Sequence, residues 1–210
     1  MVSKLSSNGV AGFILANGAL SVDGTEGEIR RKMIERGLVE AIVILPRNLF
    51  YSTDISVTLW ILNANKKSRV VNRNGEEIHY RDREKEILFI DMRQMGEPFE
   101  KKYVRFTDED IRKVANTYHN WQREGHTETY ADIPEFCKSV SANEEGGIAD
   151  KGFSLVPSKY IEFINRDESV DYDTRMKKLQ SELSDILRQE AESRDAVLNI
   201  FKSLGYEIEL

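Results

Sequence analysis

Four short apolar runs, each closed by turn chemistry, constrain this chain more than anything else in it. They are Val10–Ala16, Val39–Leu45, Ile55–Leu62 and Glu86–Met92. Val10–Ala16 (VAGFILA) opens after Ser7-Asn8-Gly9 and closes at Asn17-Gly18, the reading of a strand buried on both faces of an α/β sheet. A polar loop, Ser21–Gly27, follows. Glu28–Arg36 then places Ile29, Met33 and Ile34 on one side of a helix that Gly37 stops. Val39–Leu45 ends at Pro46, and the loop Arg47–Asp54 leads into Ile55–Leu62. The first connection is a βαβ crossover that implies parallel strands. The second is short enough for an antiparallel pair.

Beyond the third run the pattern is more polar. Asn63–Lys85 is a charged excursion centred on Asn74-Gly75, a hairpin signal. Thr107, with Asp110 three residues on, marks the start of a helix reaching about Gln122. Gly125–Gly152 reads as loop, with Cys137 a bystander in it. Tyr172–Leu204 is a long charged helix. Met176, Leu179, Leu183 and Ile186 form one part of its apolar seam, Val197, Ile200 and Leu204 the other, and Glu190 and Ser193 interrupt it.

Composition narrows the function. A net charge of −6 excludes a protein that holds nucleic acid by its whole surface, so any DNA contact is local or shared with a more basic partner. The single cysteine excludes an intrachain disulfide and suits a reducing compartment. No apolar run approaches the ~20 residues that cross a bilayer, and Met1–Ser7 does not open a secretory signal. The expected location is the cytoplasm. His79, His119 and His126 lack metal-ligand spacing, so no metal is expected.

In order the chain reads GVAGFILANGALS, GEIRRKMIERGLVEAIVILP and LFYSTDISVTLWILN, then EILFIDMR, FTDEDIRKVANTYHNW and GFSLVPSKYI. This series resembles the second half of the catalytic domain of type I restriction-modification methyltransferase (modification) subunits, which methylate adenine N6 in DNA. The resemblance implies an α/β fold: the C-terminal half of a doubly wound, Rossmann-like methyltransferase sheet, plus a C-terminal helical region. It implies S-adenosylmethionine as cofactor, DNA as substrate, and the specificity and restriction subunits as partners. The family's glycine-rich cofactor loop and its Asn-Pro-Pro-Phe tetrapeptide do not occur here, and no two of the four prolines are adjacent. Both motifs, and with them the catalytic residues, are expected upstream, Met1 corresponding to an internal position of a full-length subunit. The expected divisions are 1–106, part of the catalytic domain; 107–165, a mixed helix and loop region; and 166–210, a long helix for subunit assembly.

Within this resemblance, Phe50 holds the position that stacks the extruded adenine, since base-modifying enzymes must rotate their target out of the duplex. Tyr51 and Asn17 join it as substrate-binding candidates. Asn17 ends a strand at the carboxyl edge, where α/β proteins place ligands, although such an Asn-Gly pair also simply makes a turn. Phe50 could likewise be a plug at the end of the sheet. Thr53, Lys66, Lys67 and Arg69 are DNA-contact candidates. Arg73, and Lys101, Lys102 and Arg105 in a second basic patch, read as solvated surface. Ser21–Gly27 reads as a flexible loop over the cleft. Two other readings stay open: an inactive fragment that keeps only assembly surfaces, and an α/β domain acting on an unrelated substrate.

Overall fold

The computed structural model describes residues 2–164 and 172–205. They belong to two compact units, Met1–Ile164 and Asn165–Leu210.

The first unit is built on a five-stranded sheet. Its strands are β1 (Val10–Ala16), β2 (Val39–Ile44), β3 (Val57–Asn63), β6 (Glu86–Asp91) and β9 (Cys137–Ser141), in the order β1-β3-β2-β6-β9. β2 and β6 run parallel, with Ile42 beside Phe89. β3 is antiparallel to both of its neighbours, with Phe13 and Ile42 each opposite Trp60. β1 and β2 thus point the same way, as the crossover implied, but β3 is inserted between them. Helix α1 (Thr25–Glu35) makes that crossover. It starts one turn earlier than the apolar spacing suggests, with Gly24 as N-cap at a φ of 74°.

The expectation that β1 is buried on both faces is corrected. It is the edge of the sheet, and Val10, Ile14 and Leu15 are exposed. Only β2 and β6 show the full burial that continuous apolar runs foretell, because each has a strand on both sides and a packed layer on both faces.

Two cores hold the layers together. On one face α1 and the segment Ile148–Ile161 cover Ile42, Trp60, Leu62 and Phe89, and the Tyr160 ring stacks on Phe89 at 4.6 Å. On the other, α2 (Asp108–Gln122) covers Ala41, Val43, Leu88 and Ile90, with Trp121 donating from Nε1 to Ser139 Oγ at 2.8 Å. Helices on both faces make the sheet doubly wound. Thr107 and Asp110 form the expected capping box at the start of α2.

Two ribbons project from this body. β4 (Arg69–Arg73) and β5 (Glu76–Tyr80) form the hairpin announced by Asn74-Gly75, both at positive φ. β7 (Glu97–Phe99) and β8 (Tyr103–Arg105) form a second, shorter one. The stretch read as loop beyond Gly125 holds a short helix, α3 (His126–Thr129), and β9. Cys137 is correspondingly not a loop bystander. It opens β9 and is buried in the second core.

The second unit is the helix α4 (Tyr172–Ser203). Leu179, Leu183, Ile186, Val197, Ile200 and Leu204, the last just past its end, are all exposed, and Glu190 pairs with Arg194 one turn on. Among the described residues no helix is long and apolar enough to cross a membrane.

Candidate active-site cleft

The parallel strands β1, β2 and β6 end at Ala16, Ile44 and Asp91, and β3 begins beside them at Val57. Their carboxyl ends form one edge of the sheet, where α/β proteins open a crevice. A cleft of about 620 Å³ lies there. Asn17, Ile44, Pro46, Arg47, Asn48 and Ser56 line it from the first three strands and their loops. Arg93, Gln94, Met95, Gly96, Pro98 and Val104 come from the segment after β6 and the β7–β8 hairpin.

The hairpin closes on the loop through the backbone. Val104 N–H donates to the Asn48 carbonyl at 3.0 Å, with Asn48 at a φ of 58°. Gly96 is required by the same closure. Its φ is 94°, and a Cβ there would lie 2.6 Å from Val104 Cγ1.

Twelve residues line the cleft and none is acidic. Asp91 sits at the carboxyl end of β6, but Arg93 takes both of its oxygens, with Nη2 to Oδ2 at 2.6 Å. That carboxylate holds the Arg93 guanidinium above its ordinary range, against the opposing effect of burial. Arg47 donates from Nε to the Asp54 carbonyl at 3.2 Å and forms no ion pair among the described residues. Ser56 Oγ is spent on the Leu45 carbonyl at 2.5 Å. Asn17 Oδ1 accepts from the hydroxyl of fully buried Thr58 at 2.6 Å, which fixes the carboxamide with Nδ2 as its remaining donor. The cleft therefore presents carboxamides, guanidinium groups and apolar surface from Ile44, Pro46 and Met95. It offers no acid or base to move a proton.

The other candidates fall elsewhere. Phe50 and Tyr51 share the Arg47–Asp54 loop but do not line the cleft. Phe50 is half-buried against the second core, and Tyr51 is 70% exposed with its ring edge-on to Tyr103 at 4.7 Å. Thr53 Oγ1 accepts from Ile55 N–H at 3.4 Å. Lys66, Lys67 and Arg69 follow β3, which runs away from the cleft, so they lie at the opposite edge of the sheet.

Lys66 is a correction, because it cannot touch DNA. It is 2% exposed, and its ammonium donates to the carbonyls of Val39 and Glu86, each at 2.7 Å. Burial pulls it down to about 8 against the attraction of Glu40. Lys67 is exposed near Glu84, and Arg69 is held by the Asn65 carbonyl at 2.8 Å. The Ser21–Gly27 segment is pinned rather than loose. Arg30 Nη1 donates to the Ala19 and Val22 carbonyls, and a Cβ on Gly27 would meet Val22 O at 3.0 Å.

Sequence reasoning missed Arg47, Asn48 and the 93–104 wall, which only folding brings to Asn17. It also missed a buried network at the far edge. There Glu40 of β2 accepts from Arg83, Gln122, Asn63 and Tyr118. Among the described residues no group of His, Cys, Asp and Glu is arranged to hold a metal ion.

Comparison with known proteins gives this edge a context. The family profile described as N-6 DNA Methylase matches residues 1–169. The HindI methylase subunit of Haemophilus influenzae is 36% identical over 99% of this chain, which spans 42% of that subunit. The MjaIX methylase subunit of Methanocaldococcus jannaschii is 30% identical over 95% of the chain, which spans 33% of it. A solved type I restriction-modification methyltransferase subunit from Streptococcus thermophilus superposes with a TM-score of 0.57 at 26% identity. That match covers 74% of this chain and 27% of that one. The chain thus spans less than half the length of these relatives. The profile match over most of the chain, together with these relatives, shows that this chain belongs to the N-6 DNA methylase family.

Proposed function

We propose that this chain forms the base-binding side of an adenine-N6 DNA methyltransferase, as part of the modification subunit of a cytoplasmic type I restriction-modification system. The observation that carries the reading is the cleft's chemistry at the carboxyl edge of a methylase-family sheet. Carboxamides of Asn17, Asn48 and Gln94 suit the donor and acceptor edge of an adenine. Ile44, Pro46 and Met95 suit its faces, and Arg47, which forms no ion pair among the described residues, suits a flanking phosphate. Asn17 positions the base through Nδ2, its oxygen being held by Thr58. Phe50 and Tyr51, two and three residues beyond Asn48 on the same loop, are the proposed aromatic contacts of the base, Phe50 half-buried against the second core and Tyr51 exposed.

S-adenosylmethionine, the methyl donor the family implies, does not fit the residues present. Its ribose calls for an acidic partner, yet no carboxylate lines the cleft and Asp91 is engaged by Arg93. No step of methyl transfer is assigned to this chain's side chains. α4, with apolar residues exposed along its length, is the proposed docking element for helices of the specificity subunit, and the restriction subunit completes the assembly.

The test uses the assembled enzyme with unmethylated target DNA and radiolabelled S-adenosylmethionine, followed by nucleoside analysis. N6-methyladenine is the expected product, and Asn17→Ala lowers kcat/KM by about tenfold or more, the order of one lost positioning hydrogen bond. Label in another base, or in none, overturns the reading.

A further inference from the structure

The β7–β8 hairpin has two faces. Pro98 pairs with Val104, and both line the cleft. The next pair, Phe99 with Tyr103, belongs by strand alternation to the opposite face. That outer face interleaves rings and cations. Tyr51 meets Tyr103 edge-on at 4.7 Å, Lys102 Nζ lies 5.2 Å from the centre of the Tyr103 ring, and the Arg105 guanidinium lies 5.1 Å from that of Phe99. Glu97 neutralises Arg105 at 2.7 Å, whereas Lys101 and Lys102 form no ion pair among the described residues. In a chain of net charge −6, two adjacent lysines without an ion pair among the described residues, one of them over Tyr103, and next to that ring a Tyr51 that is 70% exposed, are a local reversal of character.

We propose that Tyr51, Tyr103, Lys101 and Lys102 form a landing surface for a single-stranded stretch of nucleic acid beside the cleft. An unpaired base stacks on the open face of Tyr51, and the adjoining phosphates lie against the two lysines. Aromatic faces that accept any base, next to cations that follow the backbone, are how proteins hold single strands without reading sequence. The geometry also assigns the hairpin a mechanical part. It is a wall one ribbon thick, with the cleft on one side and this platform on the other. A strand whose base enters the cleft crosses the rim at Val104 and is met by Tyr51, which the Val104–Asn48 hydrogen bond keeps at that rim. The inference rests on the cleft being the seat of an extruded base.

The test is fluorescence anisotropy of the 210-residue chain with a short labelled oligodeoxynucleotide, single-stranded or annealed, over a range of salt. The single strand is expected to bind more tightly than the duplex. Tyr51→Ala weakens it roughly 5-fold or more, the loss of one stacked base. Lys101→Gln with Lys102→Gln lowers the slope of log affinity against log salt by about 0.7 for each phosphate contact removed. Arg112→Gln, an exposed change on α2, leaves both readouts unchanged. Thermal melts establish that each variant is folded, which exposed positions favour. Single-strand affinity indifferent to Tyr51 and both lysines overturns the inference, as does loss of specificity-subunit binding in Tyr51→Ala with oligonucleotide affinity intact. Neither result bears on whether the assembled enzyme makes N6-methyladenine. An assembled enzyme that makes none refutes the methyltransferase reading and leaves the binding result standing.

Discussion

Glu40 sits at 0% exposure in the second position of β2, with five donor contacts converging on one carboxylate. Oε1 takes Arg83 Nε at 3.3 Å, Arg83 Nη2 at 3.1 Å and Gln122 Nε2 at 3.1 Å, while Oε2 takes Asn63 Nδ2 at 2.9 Å and the Tyr118 hydroxyl at 2.7 Å. The Arg83 side chain is fully buried too, so Glu40→Ala strands a cation in the interior. Breaking a buried pair from one side costs ~3–5 kcal/mol, a large share of the 5–15 kcal/mol that holds a typical domain. With a urea m-value of about 2 kcal/mol/M, a loss of ~4 kcal/mol lowers the unfolding midpoint by about 2 M. A double-mutant cycle isolates the pair. Glu40→Met and Arg83→Met are each severe alone, and the double variant loses less than their sum by at least ~1 kcal/mol. Urea titrations followed by tryptophan fluorescence supply all four stabilities, with Trp121 directly over the network. Additive losses, or a Glu40→Ala cost under ~1 kcal/mol, would refute the account of this carboxylate as the clamp between β2, β3 and α2.

In the assembled enzyme, Phe50→Ala should lower methylation far more than stability, by the ~1–3 kcal/mol of one base–aromatic stack. A large fall in Tm with activity surviving in the cold would make Phe50 a plug instead. Lys66 titrates near 8 in the folded chain against 10.5 as a free side chain. The unfolded state therefore binds the extra proton between those values, and this group makes stability rise with pH across them. Lys66→Met should flatten that slope in melts taken from pH 7.5 to 9.5, and an unchanged slope would show the ammonium to be well solvated. Deleting Asp171–Leu210 should abolish co-purification with the specificity subunit while the remaining unit melts as before. Retained assembly would make α4 a brace. Calorimetry of the chain with S-adenosylmethionine should show no low-micromolar binding, and such binding would mean that a cofactor cradle exists among these residues.

Much of the fold is legible in the sequence where local chemistry and tertiary demand agree. β2 and β6 read as buried runs because their own sequences are nearly continuous apolar stretches, as strands paired on both sides and covered on both faces require. The Asn74-Gly75 turn needs positive φ, which few residue pairs allow, and the Thr107–Asp110 box satisfies its own donors. β9 escapes such reading because Lys138, Ser139 and Ser141 dilute its pattern and only Cys137 and Val140 are buried. β1 is misread for the opposite reason, since an apolar edge strand and an apolar central strand are identical as strings. Lys66 and Lys67 are adjacent and chemically equal. What separates them is a pair of backbone carbonyls contributed by Val39 and Glu86, each about twenty residues or more away, which no local pattern encodes.

The same distinction bears on the cleft. Asn17 was legible because it ends a strand, whereas Arg47 and Gly96 acquire meaning only when the β7–β8 hairpin folds against the loop after β2. Asn17 also terminates the edge strand of the sheet. Beside that edge, Phe13, Leu15, Met33 and Trp60 line an apolar groove of about 330 Å³, and Trp60 Nε1 is buried without an acceptor among the described residues. An open strand edge and an apolar groove in the same place are surfaces that a folded protein covers. Any element that pairs with β1 runs alongside it and reaches the carboxyl edge next to Asn17. An element covering that edge would therefore also form the next wall of the cleft, so the exposed apolar surface and the acid-free cleft meet on the same strand.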